Sequence, residues 1–163
     1  MSQSHALDQP CTADTHVLVV EDSCMLQALI GGTLRSHGYR TQVCGNGLEA
    51  IAAVDAAART PWPIDIVLMD VVMPELNGVE ASFRLRRQGY AGRIVMLTAA
   101  DESYDMACSF MAGADDFLAK PFTPEQLEAT IERNLASSSS NPLLEASTRG
   151  DAAAADPDDS RAA

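Results

Sequence analysis

The sequence is poor in basic residues. Lys and Arg together number 11 against 23 Asp and Glu, giving a formal net charge of −12 and a pI of about 4.4. Nucleic acids and anionic membranes are bound through basic footprints, so this composition argues against both as direct partners. Long apolar runs are also missing, and no stretch is long enough to span a bilayer. Met1 to Thr15 lacks the charged-then-apolar order of a secretory leader. The cysteines, Cys11, Cys24, Cys44 and Cys108, contain no C-x₂-C pair, which argues against zinc and dithiol motifs. They are expected to be reduced thiols, with Cys24, Cys44 and Cys108 partly buried, and a reducing cytoplasm fits them. His5, His16 and His37 do not converge, so a histidine-based metal or catalytic site is not expected. Gly45, Gly47 and Gly78 form neither a G-x-G-x-x-G nor a P-loop pattern, so nucleotide binding has no support.

What the chain does have is apolar residues, 47% of its 163, enough for one domain with a real core. His16 to Val20 is a β-branched run of the kind found in buried strands. Ser23 can cap a helix through about Ser36, with Met25, Leu26, Leu29, Ile30 and Leu34 inward and Gly38 as its stop. Gly31-Gly32 is a weak point within it. Tyr39 to Val43 is a second strand, and Asn46 caps an alanine-rich helix to about Ala58. Trp62 lies in the following proline-flanked loop and is expected to pack there. Ile64 to Met69 is a third strand ending at Asp70. A helix from about Gly78 to Gln88 and a strand from Arg93 to Leu97, ending at Thr98, come next. A fourth helix, Ser103 to Met111, is stopped by Gly113. Asp116 to Ala119 is a fifth strand ending at Lys120, and Thr123-Pro124-Glu125-Gln126 is a capping box opening a fifth helix to about Ala136. Met96, Met106 and Met111 are expected to fill the core. Strands alternating with helices imply a parallel sheet covered on both faces with right-handed crossovers.

The expected organisation is a loose N-terminal segment at 1–14, a folded unit at 15–136 and a disordered acidic tail at 137–163, rich in Ala, Ser and Asp. The tail is too short to hold an output domain.

In open α/β sheets ligands bind beyond the carboxyl ends of the strands. The polar residues at those ends are Glu21 and Asp22, Asp70, Thr98 and Lys120. Each alone has the bland explanation of a cap or a solvated loop; together they gather three carboxylates, a hydroxyl and an ammonium on one edge. Were the first and third strands neighbours, they would lie about 4.8 Å apart, and clustered carboxylates need a cation. Oxygen ligation by few protein groups suits Mg²⁺, which also accepts a phosphate oxygen. Asp70 can then act as a carboxylate nucleophile forming an acyl phosphate. Lys120 would supply positive charge, and the Thr98 hydroxyl a hydrogen bond to a phosphoryl oxygen.

At this point the chain resembles the receiver domains of bacterial response regulators, over about Thr15 to Ala136. The matching pieces are Val-Val-Glu21-Asp22, Leu-Met-Asp70-Val-Val-Met73-Pro74 with Gly78, Val-Met-Leu-Thr98-Ala99, and Gly113-Ala-Asp-Asp-Phe117-Leu-Ala-Lys120-Pro121-Phe122. The resemblance implies a flavodoxin-like (βα)5 doubly wound sheet with strand order 2-1-3-4-5. It implies Mg²⁺ ligation by Asp22, Asp70 and the Val72 carbonyl, with Glu21 acting through water, and a cis bond between Lys120 and Pro121. It further implies a phosphohistidine donor on a sensor histidine kinase or a histidine phosphotransfer protein, and Phe117 as a switch aromatic acting with Thr98. Readout would fall on the face of the fourth helix, fifth strand and fifth helix, where a downstream protein partner binds. Many relatives carry Asp where this chain has Glu21.

The function expected is a phosphorylation-controlled switch, not an enzyme, acting as a single-domain regulator or phosphorelay intermediate. A receiver excised from a hybrid sensor kinase is a variant of it. A Mg²⁺-dependent aspartyl-phosphate phosphatase of the haloacid-dehalogenase kind would need a second carboxylate two residues past the nucleophile, where Val72 stands. A constitutive module that has lost phosphorylation conflicts with the complete set of strand-end residues.

Overall fold

The computed structural model of the protein describes residues 14–99, 110 and 112–137. Residues 1–13 of the expected N-terminal segment, the expected fourth helix apart from Phe110, and the tail beyond Ser137 lie outside the described residues, as do Cys11 and Cys108. The described elements are β1 (His16–Val20), α1 (Cys24–Ser36), β2 (Arg40–Cys44), α2 (Gly47–Ala58), β3 (Ile66–Asp70), α3 (Gly78–Arg87), β4 (Arg93–Ala99), β5 (Asp116–Lys120) and α4 (Pro124–Ala136). The last of these is the fifth helix of the sequence reading. All strands pair in parallel, in the order β2-β1-β3-β4-β5.

The apolar runs bury the sheet on both faces. Val17 to Val20, Ile66 to Met69 and Ile94 to Leu97 are fully inaccessible, as parallel strands under helical crossovers should be. Their period of two divides them cleanly. Leu18, Val20, Val67, Met69 and Met96 meet Ala50, Ala81 and Leu85 from α2 and α3. Val17, Val19, Leu68, Val95 and Leu97 meet Ile30, Leu34, Leu127 and Ile131 from α1 and α4.

Helix starts follow local chemistry. Ser23, Asn46, Asn77 and Thr123 each accept a backbone N–H through the side chain, and Thr123 with Gln126 closes a capping box. Gly38 takes a φ of 88° just past α1, where a side chain would be strained.

The structure corrects the inward face of α1. Ile30, Gly31 and Leu34 are buried, whereas Met25 and Leu29 are exposed. Gly31 lies on the side facing β2, where a Cβ would come within 3.4 Å of Val43 Cγ1, and the buried stripe follows Ile30 and Leu34 on that side. Cys24, at the first position of α1, is likewise exposed, not partly buried. Trp62 is exposed in its loop, stacked under the Arg40 guanidinium at 4.3 Å.

The start of β5 is fastened to α3. Ser82 Oγ donates to the Ala112 carbonyl at 3.1 Å. Arg86 donates to the carbonyls of Gly113, Tyr90 and Gly92 and to the Asp115 carboxylate. Among the described residues no helix is long and apolar enough to cross a membrane.

Candidate functional site

β1 and β3 are adjacent at the centre of the sheet, where the connections reverse direction. The chain leaves β1 through Glu21, whose N–H extends the ladder to the Cys44 carbonyl at 3.1 Å. It then turns into α1 at Asp22 and Ser23. β3 ends on Asp70, which stands opposite Leu97 of β4. The following loop folds back on the site. The Val72 N–H donates to Asp70 Oδ1 at 3.4 Å, placing the Val72 backbone beside that carboxylate. Leu76 N–H closes a three-residue turn on the Pro74 carbonyl at 2.8 Å, with Glu75 at a φ of 67°. That conformation costs a non-glycine residue about 1–3 kcal/mol and tends to accompany functional loops.

Glu21, Asp22 and Asp70 each bring a carboxylate oxygen within 4.8 Å of the others. The set is all oxygen and anionic, a donor set that suits a hard cation such as Mg²⁺. Glu21 is buried, Asp70 is half-buried and Asp22 is exposed. Lys120, the last residue of β5, sends its ammonium back across β4. Its Nζ lies 2.7 Å from Glu21 Oε2 and 3.2 Å from Asp70 Oδ2. Burial pushes the Glu21 carboxyl above its ordinary value, opposed by the bonds from Lys120 and the Ser23 N–H and reinforced by the Asp70 charge. Burial also works against the charge on Lys120, but the bond to Glu21 and the charges of Asp70 and Glu21 outweigh it and hold Lys120 above its ordinary value. The bond between Lys120 and Pro121 is cis, as the resemblance implies.

Thr98 is buried near the end of β4, opposite Ala119. Phe117 stands opposite Met96, so strand alternation puts Phe117 and Thr98 on one face of the sheet. The Phe117 ring meets Phe110 edge-on, with centroids 4.4 Å apart, and Phe110 is largely exposed.

A well-formed concavity lies elsewhere. A cavity of about 730 Å³ lies at the opposite ends of the strands, lined by Val54, Ile64, Asp65, Leu85, Tyr90 and Leu135. Concavity alone would misplace the site; the convergence of charged strand ends locates it.

Residues 17–132 match the response regulator receiver domain family. Among curated proteins, the chain is 36% identical to the DNA-binding response regulator MtrA of Mycobacterium tuberculosis, over 76% of this chain and 52% of that protein. It is 35% identical to the alkaline phosphatase synthesis transcriptional regulatory protein PhoP of Bacillus subtilis, over 71% of this chain and 46% of that one. The chain thus spans about half the length of these relatives. Among solved structures, chemotaxis protein CheY4 of Vibrio cholerae superposes with a TM-score of 0.66 at 32% identity, covering 74% of this chain and 98% of that one. The receiver domain of sensor histidine kinase PA1611 from Pseudomonas aeruginosa, solved with magnesium in its active-site cleft, gives 0.66 at 34% identity, covering 76% and 98%.

The fold and the carboxylate-bearing strand edge therefore define a signalling module of two-component systems. The chain belongs to the response regulator receiver domain family, a class of signalling proteins. The expectation that nucleic acid is no partner finds no support among relatives of which one is named DNA-binding.

Gln27 was not foreseen from sequence: from α1 it donates Nε2 to the Glu21 carbonyl at 2.6 Å and fixes the backbone of the first carboxylate. Gly78, named in the sequence as the start of the third helix and with the Asp70 motif, lets α3 begin against the Asp70 carbonyl. One available signal went unread: Lys120 is the only lysine in the chain, every other basic residue being Arg. A chain that uses Arg everywhere else and Lys once marks a position where a compact ammonium on a long stem is required.

Proposed function

We propose that this receiver accepts a phosphoryl group on Asp70 from a phosphohistidine of a sensor histidine kinase or histidine phosphotransfer protein. The observation that carries the reading is the Lys120 ammonium, brought from β5 to within 3.2 Å of the Asp70 carboxylate and 2.7 Å of Glu21 at the edge where the acidic residues meet. An Asp70 oxygen attacks phosphorus, the bond from phosphorus to the imidazole nitrogen breaks, and the imidazole leaves with the electron pair. Asp22, Asp70 and the Val72 carbonyl would hold Mg²⁺, with Glu21 nearby; the ion would neutralise charge on the transferring group. Lys120 would pair with a phosphoryl oxygen, and Thr98 would donate its hydroxyl to another. The unit that performs this is residues 15–136, flanked by 1–14 and 137–163, and a cytoplasmic setting belongs to the same proposal. The resemblance to the receiver of a sensor kinase at 34% identity also favours a second placement, a receiver carried within a hybrid kinase.

Mixing the protein with Mg²⁺ and a small phosphodonor tests the reaction. Stable stoichiometric labelling is expected. Steady phosphate release at enzyme-like rates would favour a phosphatase instead, and no labelling would rule the proposal out.

Metal binding has its own check. Clustered carboxylates repel, so Mg²⁺ should raise the melting temperature by mass action. Asp22→Ala should abolish that response and can stabilise the metal-free protein. A Mg²⁺ response of undiminished size in the variant contradicts the assignment.

The output would run through Thr98 and Phe117 to a protein partner on the face of β5, α4 and the predicted helix at 103–111. A dianion on Asp70 draws the Thr98 hydroxyl toward it, vacating space on the side of the sheet that Phe117 also occupies. The effect is a population shift between two packings. Beryllofluoride with Mg²⁺ should move backbone resonances around Phe117 and Phe110, and Thr98→Ala should shrink those distant changes. A Thr98→Ala spectrum with the complete set of changes breaks the coupling while leaving Asp70 as acceptor.

A further inference from the structure

We infer that Leu143 and Leu144, in the segment that follows Ser137, seat in the cavity at the amino ends of the strands and close it as an intramolecular clasp.

The cavity holds about 730 Å³, and Thr15, Asp65 and Gly92 on its wall immediately precede β1, β3 and β4. It therefore lies at the end of the sheet away from Asp70. Pockets that enclose whole small molecules run from about 300 to 1,000 Å³, so there is room for two leucine side chains. The interior is apolar. Val54, Ile64 and Leu85 line one side, continuous with the core beneath α2 and α3, and Leu135 of α4 lines the other, continuous with the core beneath α1 and α4. An open hollow that reaches both halves of the core leaves apolar surface in water that a chain segment can cover.

The structure brings residues 138–163 to this place. Leu135 is on the cavity wall. Two residues later the Ser137 carbonyl is held by Arg93 Nη2 at 2.6 Å, and the Ser137 Oγ donates to the Arg133 carbonyl at 2.8 Å. The following chain thus starts beside the cavity from a fixed point. Leu143 is six residues beyond Ser137, a reach of up to about 20 Å. Leu143 and Leu144 are also the only large apolar residues in 138–163, a segment otherwise of Ala, Ser, Asp and their like. Composition makes that segment as a whole a poor candidate for ordered structure; the leucine pair is the part of it with burial to gain.

Two further observations select this pair. The rim is acidic through Asp14, Asp55 and Asp65, so the aspartates at 151, 156, 158 and 159 are repelled from it. Tyr90, on the wall, has a hydroxyl that is buried without a hydrogen-bond partner among the described residues. Buried hydroxyls are nearly always bonded, and a segment lying in the cavity brings the backbone carbonyls this one lacks.

The test is methyl NMR on the full chain, with Leu143→Ser/Leu144→Ser as the variant. Both substitutions lie outside the described fold, so the domain stays folded in either form. The wild type should give cross-peaks from the methyls of Leu143 or Leu144 to those of Val54, Ile64 or Leu85. The variant should shift the methyl signals of Val54, Ile64, Leu85 and Leu135, and should melt lower by roughly 3–6 °C, the response of a domain of this size to loss of a modest apolar contact. Identical cavity methyl signals and melting temperatures in the two proteins overturn the inference. If Leu7→Ser moves the cavity methyls and the double variant does not, the occupant is the segment at 1–13 and the inference fails. Cross-peaks seen only between differently labelled copies in a mixed sample make the occupant a second molecule and overturn the intramolecular clasp.

Discussion

Asp70→Asn is expected to bring phosphoryl uptake from a small phosphodonor down to background while the protein stays folded. The amide has nearly the same shape as the carboxylate but a single oxygen, so it keeps an acceptor for only one of the two groups on Asp70, the Val72 N–H at 3.4 Å from Oδ1 or the Lys120 ammonium at 3.2 Å from Oδ2. It cannot form the acyl phosphate, because a carboxamide oxygen is a poor nucleophile with no stable anhydride product. Removing one negative charge from the crowded edge should also relieve repulsion, so the metal-free variant should melt at or above the wild-type temperature. Labelling measured on intact protein by mass and a thermal melt on the same preparation decide the matter. Wild-type label on the variant would move the acceptor to a neighbouring carboxylate, of which exposed Asp22 is the first to examine. A variant that melts below the wild type would show that the pairing of Asp70 with Lys120 outweighs the repulsion among the carboxylates.

The parts of this architecture legible in sequence are those written in local chemistry. Apolar runs with strand length gave the sheet, and caps such as Ser23, Asn46 and Thr123 gave the helix starts within a residue. The polar residues at the strand ends gave Glu21, Asp22, Asp70 and Lys120, which the fold gathers on one edge. What stayed hidden depends on distances between elements. Period counting on α1 pointed Met25 and Leu29 inward, because a helical wheel contains no information about a neighbouring strand. Packing of α1 on the sheet places the buried stripe on Ile30 and Leu34. The unequal hold on Lys120 was equally invisible, since it depends on how far a side chain reaches across β4. The ring contact between Phe110 and Phe117 joins two residues that no local pattern pairs. Strand bounds slipped by a residue or two, as at Tyr39 and Ile64, which are buried yet precede the strands assigned to them.

Gly78→Ala joins fold to site, and it is expected to lower stability and phosphoryl uptake together. A Cβ at Gly78 would overlap the Asp70 carbonyl oxygen and stand 3.0 Å from its carbon. Both are backbone atoms of the strand that presents the acceptor, so no side-chain rotation can make room. The Gly78 N–H is meanwhile tied to the Val71 carbonyl at 2.9 Å, and Asn77 caps α3 through the Glu80 N–H at 2.8 Å. The methyl must therefore push the start of α3 away from the end of β3, costing about 1–3 kcal/mol as overpacking usually does and displacing Asp70 relative to Lys120. Gly32→Ala is the matched control. Gly32 lies inside α1 with nothing within 4 Å of a built Cβ, so alanine there should stabilise by about 0.5–1 kcal/mol through helix propensity alone. Denaturant melts should therefore move in opposite directions for the two variants, and only Gly78→Ala should slow labelling of Asp70. Equal midpoints for Gly78→Ala and wild type would mean that the close approach of α3 to the Asp70 peptide does not exist in solution, and the account of how this loop positions the acceptor would fail with it.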